Sequence, residues 1–170
     1  ALAYAQTGKK LLFMGDEFAQ PRAWHHDRSL DWHVAHEPAH GGIERMVRDL
    51  NRVYRETPAL HAGDATPNGF EWIAGSNAAM RVIVFRRVGA SPDEQVIVAC
   101  NFTPVPRLQY RIGVPRAGRW REIFNSDARD YGGSGHGNMG GVEAVPYPWN
   151  GRESSIVVTL PPLGILYLAR

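Results

Sequence analysis

The chain of 170 residues is 44% hydrophobic, and its 19 Lys and Arg against 17 Asp and Glu give a net charge of +2. This composition supports a core of ordinary size, excludes wholesale disorder and lacks the basic balance of nucleic-acid-binding proteins. The single cysteine, Cys100, excludes an intrachain disulfide framework and a cysteine-rich zinc site. No apolar run reaches the roughly 20 residues of a membrane-spanning helix. We therefore expect a cytoplasmic protein that binds neither nucleic acid nor membranes.

Residues 1–60 are predicted to contain one β/α unit. The apolar run Leu11–Met14 is continuous rather than alternating, which favours a strand covered on both faces. A long polar loop, Gln20–Gly42, follows. Apolar residues then recur at helical spacing over Ile43–Tyr54, and Thr57-Pro58 ends this helix. Because one β/α unit cannot cover its own strand on both faces, and because the chain lacks an initiator Met, we expect a fragment of a larger α/β domain at this end.

The rest of the chain is predicted to be all β. Runs rich in Val, Ile, Phe, Tyr and Trp alternate with clusters of Gly, Pro, Asn and Ser, which is typical of an antiparallel sandwich. The seven predicted strands are Phe70–Ile73, Met80–Val88, Gln95–Asn101, Gln109–Ile112, Trp120–Asn125, Ser155–Leu160 and Gly164–Leu168. The glycine-rich stretch between Tyr131 and Gly141 is predicted to be a flexible surface loop.

Four segments in collinear order carry a family resemblance. They are Lys10–Gln20 (KLLFMGDEFAQ), Ser29–His33 (SLDWH), Asn101–Arg107 (NFTPVPR) and Leu160–Gly164 (LPPLG). The first is similar to the eighth barrel strand and its loop in the α-amylase superfamily. The second and third narrow the resemblance to bacterial 1,4-α-glucan branching enzymes, and the fourth resembles the closing strand pair of that family. The resemblance spans essentially the whole chain.

This resemblance implies a (β/α)8 catalytic barrel followed by an all-β C-terminal domain. Residues 1–60 would be the last strand, loop and helix of the barrel, and residues 61–170 the C-terminal β domain. We thus expect a mainly β fold with one β/α unit, in which the barrel end is followed by an antiparallel β-sandwich.

The resemblance also implies an activity. The family cleaves α-1,4 links and transfers the released segment to a 6-hydroxyl, which forms α-1,6 branches in glycogen. The chemistry is retaining and uses carboxylates on earlier barrel strands, at positions that would precede Ala1. We therefore assign no catalytic residue and expect the isolated chain to be inactive. The implied partners are α-glucan (glycogen, maltooligosaccharides) and the N-terminal barrel of the same polypeptide, and no cofactor is implied.

Four residues are candidates for contact with glucan. Trp24, Asp31 and Trp32 lie in the loop after the resembled barrel strand, where barrel enzymes build their sites. An indole offers a flat apolar face to a sugar ring, and a carboxylate accepts hydrogen bonds from hydroxyls. The alternative is that both indoles pack the loop onto the barrel. Trp149, between Pro148 and Asn150, is the fourth candidate.

Other features favour structural interpretations. Asp16 and Glu17 are adjacent on a predicted strand end and therefore point to opposite faces, so they are not expected to flank one glycosidic bond. The loop histidines match no tight metal-ligand spacing, and no metal site is predicted. Trp72 and Trp120 lie within strand patterns and are expected in the core.

Two other interpretations stay open at this point. The chain could be a stand-alone glucan-binding or structural β-sandwich without catalysis. It could also belong to a related α-glucan hydrolase or transferase, which the branching-type segments disfavour.

Overall fold

The computed structural model describes residues 1–77 and 79–170, apart from the side chains of residues 75–77. Its strands are β1 Phe70–Asn77, β2 Val82–Val88, β3 Gln95–Asn101, β4 Arg107–Val114, β5 Gly118–Asn125, β6 Gly141–Ala144, β7 Ser154–Leu160 and β8 Ile165–Ala169. Its α-helices are α1 Leu2–Ala5 and α2 Pro38–Glu56, and its 3-10 helices are Asp16–Phe18, Trp32–Val34, Pro58–Leu60, Pro67–Gly69 and Arg129–Tyr131. No helix in the described part of the chain is both long and apolar enough to cross a bilayer.

The strands form two antiparallel sheets. The larger has six strands in the order β1-β2-β3-β8-β5-β6, and the smaller pairs β4 with β7. The predicted mainly β, antiparallel fold is confirmed. All seven predicted strands are present, although most differ by a few residues at their ends. The additional strand, β6, was missed because it has four residues and directly follows the glycine-rich stretch, so it carries little β pattern.

One core fills the space between the two sheets. Val84 of β2 and Ile97 of β3 face Ile112 of β4 and Ile156 of β7, together with the fully buried Trp120 of β5. Along each strand, the residues of this core alternate with residues that point to the opposite face, because successive strand residues point to opposite faces.

A second core covers the opposite face of the large sheet. Leu50 and Val53 of α2 pack with Tyr4 and Leu60 against Phe85 and its neighbours on the sheet. The sheet therefore lies between a helical layer and a small second sheet. This arrangement explains why β3 reads as a continuous apolar run, since all seven of its residues are buried.

Helix α2 begins earlier than its apolar stripe predicts. It starts at Pro38, which suits the first helical position because proline has no N–H to satisfy there and its φ is already helical. The predicted stripe is confirmed by the burial of Val47, Leu50 and Val53. The division of the chain near residue 60 stays a prediction.

The strand predicted at Leu11–Met14 is absent, and that prediction is wrong. The described residues provide no strand that pairs with this segment, and its four side chains are exposed, with Leu11 at 77%. A strand requires a neighbour that accepts and donates its backbone hydrogen bonds. The last barrel strand that the resemblance implied is therefore not seen in this chain.

The glycine-rich stretch is held by specific hydrogen bonds. The Asp127 carboxylate accepts from the backbone N–H groups of Ser134 (2.8 Å) and His136 (3.1 Å), and Asn138 Oδ1 accepts from Thr159 N at 2.8 Å. A Cβ at Gly133 would collide with the Asp127 backbone. At this position the glycine permits a close backbone approach, which the flexible-loop prediction did not anticipate.

Candidate functional site

The loop with three of the candidate sugar contacts begins at the turn Gly15–Gln20. Gly15 has φ +91°, and Gln20 fills the space that a Cβ there would need. Asp16 Oδ2 accepts from Phe13 N at 3.1 Å, and Glu17 Oε2 accepts from Gly15 N at 3.0 Å. These bonds match the structural interpretation of both carboxylates.

Asp31 is the anchor of this loop. Its side chain is 4% exposed, and Arg22 donates to both carboxylate oxygens, with Nε–Oδ2 at 3.0 Å. The Arg22 hydrogen bond holds the pKa of Asp31 below its usual value. The Asp31 backbone N–H also donates to Gln20 Oε1 at 3.2 Å. A sugar hydroxyl would have to share this carboxylate with Arg22, so a direct contact between Asp31 and sugar stays a prediction.

Trp24 and Trp32 each rest on a phenylalanine and stay partly open to solvent. Trp24 meets Phe13 edge to face, with ring centroids 5.5 Å apart, and Trp32 lies over Phe18 at 5.2 Å. About half of each indole is exposed. A small hollow of about 170 Å³ is lined by Trp24 and Asp31 but not by Trp32. Each indole thus packs against a neighbouring ring of its own loop and also leaves an aromatic surface open to solvent.

Three of the loop residues considered as metal ligands lie together. The ligand atoms of His25, His26 and Asp27 are within 4.8 Å of one another, and all three residues are exposed. His26 Nε2 is 3.1 Å from Asp27 Oδ2, which is an ordinary surface contact. His40 is used differently, because its Nδ1 lies 2.9 Å from the Phe18 carbonyl oxygen. No metal site is assigned to this cluster.

Trp149 lies at a tight hairpin between β6 and β7. Trp149 and Arg152 exchange backbone hydrogen bonds of 2.9 Å across the two-residue turn Asn150-Gly151. Both turn residues have positive φ, +47° and +72°, as an Asn-Gly hairpin turn requires. The indole is 45% exposed, in agreement with the predicted surface position.

This hairpin borders a cleft of about 990 Å³. The cleft is lined by residues of the hairpin, of β4 and of the middle of β1. Its walls include Trp149, Asn150, Tyr110, Gln109 and Arg107. Sequence reasoning identified only Trp149 here, because the walls come from three segments that are far apart along the chain.

The other two tryptophans of the β domain differ from each other. Trp120 is fully buried, as predicted, and its Nε1 donates to the Arg116 carbonyl at 3.3 Å. Trp72 is 53% exposed, so the prediction that it is a core residue is wrong. It lies on β1, an edge strand of the large sheet, and forms T-shaped ring contacts with Phe70 and Phe85. An alternating strand pattern does not reveal whether the strand lies at an edge.

Cys100 is a buried thiol in the second core, and burial raises its pKa to about 12. The thiol therefore stays protonated at neutral pH, as expected of an unreactive structural cysteine.

Comparison with known proteins gives consistent matches. The family described as alpha amylase, C-terminal all-beta domain matches residues 72–170. The chain is 54% identical over 165 residues to the 1,4-alpha-glucan branching enzyme GlgB of Aquifex aeolicus, which covers 97% of this chain and 26% of that protein. It is 54% identical over 169 residues to the enzyme of the same name from Burkholderia thailandensis, which covers 99% of this chain and 20% of that protein. The chain thus spans about a quarter or less of the length of these relatives.

A solved structure, trehalulose synthase MutB from Pseudomonas mesoacidophila MX-45, matches with a TM-score of 0.41 and 22% identity over 74% of this chain and 18% of that chain. This similarity is too low to support a conclusion about function. The family match extends from β1 to the last residue and includes both sheets described above. The chain therefore belongs to the α-amylase C-terminal all-β domain family.

Proposed function

We propose that this chain is the C-terminal part of a 1,4-α-glucan branching enzyme, which cuts α-1,4 links and transfers the segment to a 6-hydroxyl. The observation that carries the proposal is the 54% identity to the Aquifex aeolicus enzyme over 97% of the chain. The substrate would be an α-glucan such as glycogen, and the working location the cytoplasm, where bacterial glycogen is made.

In this proposal the chain supports catalysis without performing it. The retaining mechanism requires two carboxyl groups that flank one glycosidic bond. The loop carboxylates have other contacts, since Asp16 and Glu17 accept backbone N–H groups and Asp31 binds Arg22. We infer that the catalytic carboxylates lie elsewhere in the parent enzyme and that residues 61–170 stabilise its barrel.

The exposed apolar surface near the N-terminus supports this role. Leu11, Phe13, Met14, Trp24 and Trp32 are each between 42% and 77% exposed. Exposed apolar side chains concentrated in one region of the chain are typical of a surface that is covered by another part of the protein. We propose that the preceding barrel of the same polypeptide covers the segment 11–14, while Trp24 and Trp32 face the glucan.

Asp31 would act through the loop that it anchors. Its buried carboxylate fixes Arg22, and its backbone N–H holds Gln20, relative to the helix Trp32–Val34 that follows. We therefore propose that Asp31 positions the neighbouring Trp32. A direct hydrogen bond between Asp31 and sugar would add to this role.

A chimera tests the proposal. The matched 165 residues of the Aquifex aeolicus enzyme would be replaced by this chain, and branching would be measured by the loss of iodine absorbance of amylose and by debranched chain lengths. We expect activity within about tenfold of the parent, because the chain would supply equivalent packing surfaces. The same enzyme without its matched segment is the control and should be inactive. A folded chimera without branching activity would contradict the proposal.

A further inference from the structure

Two arginines line the cleft beside Trp149 without a carboxylate to balance them. Arg107 and Arg111 of β4 belong to its walls, and its described lining residues include no Asp or Glu. The described contacts of both guanidinium groups are with neutral groups only. The cleft therefore carries two positive charges that the described part of the chain leaves uncompensated.

Arg107 is the less satisfied of the two arginines. Its Nη2 donates to the Met80 carbonyl oxygen at 3.3 Å, and its Nε is buried without a hydrogen-bond partner. A buried donor without an acceptor costs stability, so folded proteins retain few of them. Arg86 also has a buried Nε without a partner, but its charge is balanced by Glu71. Arg107 has no such carboxylate among the described residues, which points to an acceptor from outside them.

Arg111 is held in place without being neutralised. Its Nη1 donates to Ser155 Oγ at 2.9 Å, and its guanidinium lies over the Tyr147 ring at 4.4 Å. These contacts use one face of the group and one of its five N–H donors. A guanidinium that is already oriented loses little conformational entropy when it binds an anion.

The edge of β4 favours a small molecule over an added peptide strand as the occupant. Pro106 precedes the strand, and a bulge follows between Arg107 and Tyr110, where three steps along β4 oppose two along β7. Gln109, within this bulge, has φ +54°. Proline and bulges are features by which sheet edges resist pairing with another strand.

The other walls of the cleft suit the organic part of a ligand. The volume of about 990 Å³ lies at the upper end of the roughly 300–1,000 Å³ of small-molecule sites, far more than one inorganic anion fills. The partly exposed indole of Trp149 offers an apolar face. Asn150 Oδ1 accepts from Gly113 N at 3.0 Å, so the NH₂ group of this amide is left as a donor.

We propose that this cleft binds a phosphorylated small molecule, with its phosphate on Arg107 and Arg111 and its organic part against Trp149. A phosphate ester is nearly dianionic at neutral pH and balances both positive charges, whereas a single carboxylate balances only one. The inference does not rest on the proposed function. The ligand would compete with the glucan contact predicted for Trp149 from the sequence.

Calorimetric titration of the 170-residue chain in a phosphate-free buffer of low ionic strength tests this inference. The probes are adenosine 5′-monophosphate (AMP), ribose 5-phosphate, inorganic phosphate and adenosine. We expect an organic phosphate to bind with a Kd of about 1 mM or less, at least about tenfold tighter than inorganic phosphate. Adenosine, which lacks the charge, should not bind at the same concentrations. Tighter binding of AMP than of ribose 5-phosphate would identify a nucleotide as the ligand, and the reverse order or equality a sugar phosphate.

A matched pair of variants locates the site. Arg107→Met removes the charge and the unpartnered donor, so it should weaken binding of the organic phosphate at least about tenfold. It should also unfold at the same or a higher temperature, because Nε is no longer buried without an acceptor. Arg119→Met, which removes an exposed arginine of β5 from outside the cleft lining, should bind like the parent chain.

Two further variants keep the test independent of folding. Arg107→Lys retains the charge but loses the planar fork, and it should bind several-fold more weakly. Trp149→Leu should weaken binding of the organic phosphate and leave that of inorganic phosphate unchanged.

Three results would overturn the inference. They are absence of binding of both organic phosphates, equal binding by the parent chain and Arg107→Met, and an equal loss in Arg107→Met and Arg119→Met, which would indicate attraction to net charge alone. The proposed function fails separately, because an inactive chimera leaves phosphate binding by the isolated chain unchanged.

Discussion

Part of the first 37 residues leaves apolar side chains open to solvent, whereas the two sheets of the β domain bury most of theirs. In the β domain, side chains such as Val84 and Ile97 lie fully inside a two-sheet core. In the first segment, Leu11 and Phe13 stay in solvent, and Trp24 is covered only in part. The two regions are similarly apolar in sequence, so the difference lies in what is available to cover them. An apolar run predicts that a segment will be covered, but it does not identify which part of the protein covers it.

The strongest test of this comparison concerns the contact between the two regions. Arg87 is fully buried and donates to Asp64, to the Gly69 carbonyl at 3.0 Å and to the Ala5 carbonyl at 2.7 Å. We expect Arg87→Ala to lower the free energy of unfolding by about 3–5 kcal/mol, because it leaves buried acceptors without a donor.

Urea unfolding followed by circular dichroism would measure this loss. The control is Arg52→Ala, which removes an exposed ion pair of 3.3 Å with Asp49 and should change stability by about 0.5 kcal/mol or less. Equal effects of the two substitutions would show that the buried arginine does not join the regions.

A matched pair of leucines separates covered from uncovered apolar side chains. Leu50 is 1% exposed in the second core, whereas Leu11 is 77% exposed. Leu50→Ala should cost about 2–5 kcal/mol, since it removes buried methyl groups and leaves a cavity. Leu11→Ala should cost about 0.5 kcal/mol or less in this chain. In the active chimera Leu11→Ala should become clearly destabilising, and an unchanged thermal midpoint there would argue against the proposed barrel contact.

The smallest expected effect concerns acid and the 20–37 loop. The Arg22 bond lowers the folded-state pKa of Asp31, so its stabilisation is complete above the unfolded value of about 4 and disappears as pH falls through the folded value. We expect the environment of Trp32 to change in that acidic range. Fluorescence between pH 2 and 6 would follow it, with Asp31→Asn as the control that lacks the transition. An identical acid profile in both proteins would contradict the anchoring role.

Local pattern predicted the fold best where each element meets a partner within the chain. The bounds of β3 were predicted correctly because its apolar run is flanked by turn residues, and the α2 stripe was confirmed because the large sheet covers it. The prediction of a strand at Leu11–Met14 was wrong because the described residues contain no strand that pairs with this segment. Trp72 was misplaced because edge and central strands share one pattern.

The candidate sites were less predictable. The surface position of Trp149 was predicted from the turn residues on either side of it, Pro148 and Asn150. The cleft was not, because β1, β4 and the hairpin meet only after the sheets have formed. The pairing of Asp31 with Arg22 was also missed, since the two lie nine positions apart in a loop and no periodic pattern links them.

The burial of β3 on both faces has a consequence for how the molecule responds to damage. The strand contributes Val96 and Val98 to one core and Ile97 and Ala99 to the other. A disturbance on the helical side is thereby passed through one strand to the core that the large sheet shares with the small sheet. The helical layer and the small sheet are therefore expected to melt as one cooperative unit, because both pack against the same strand.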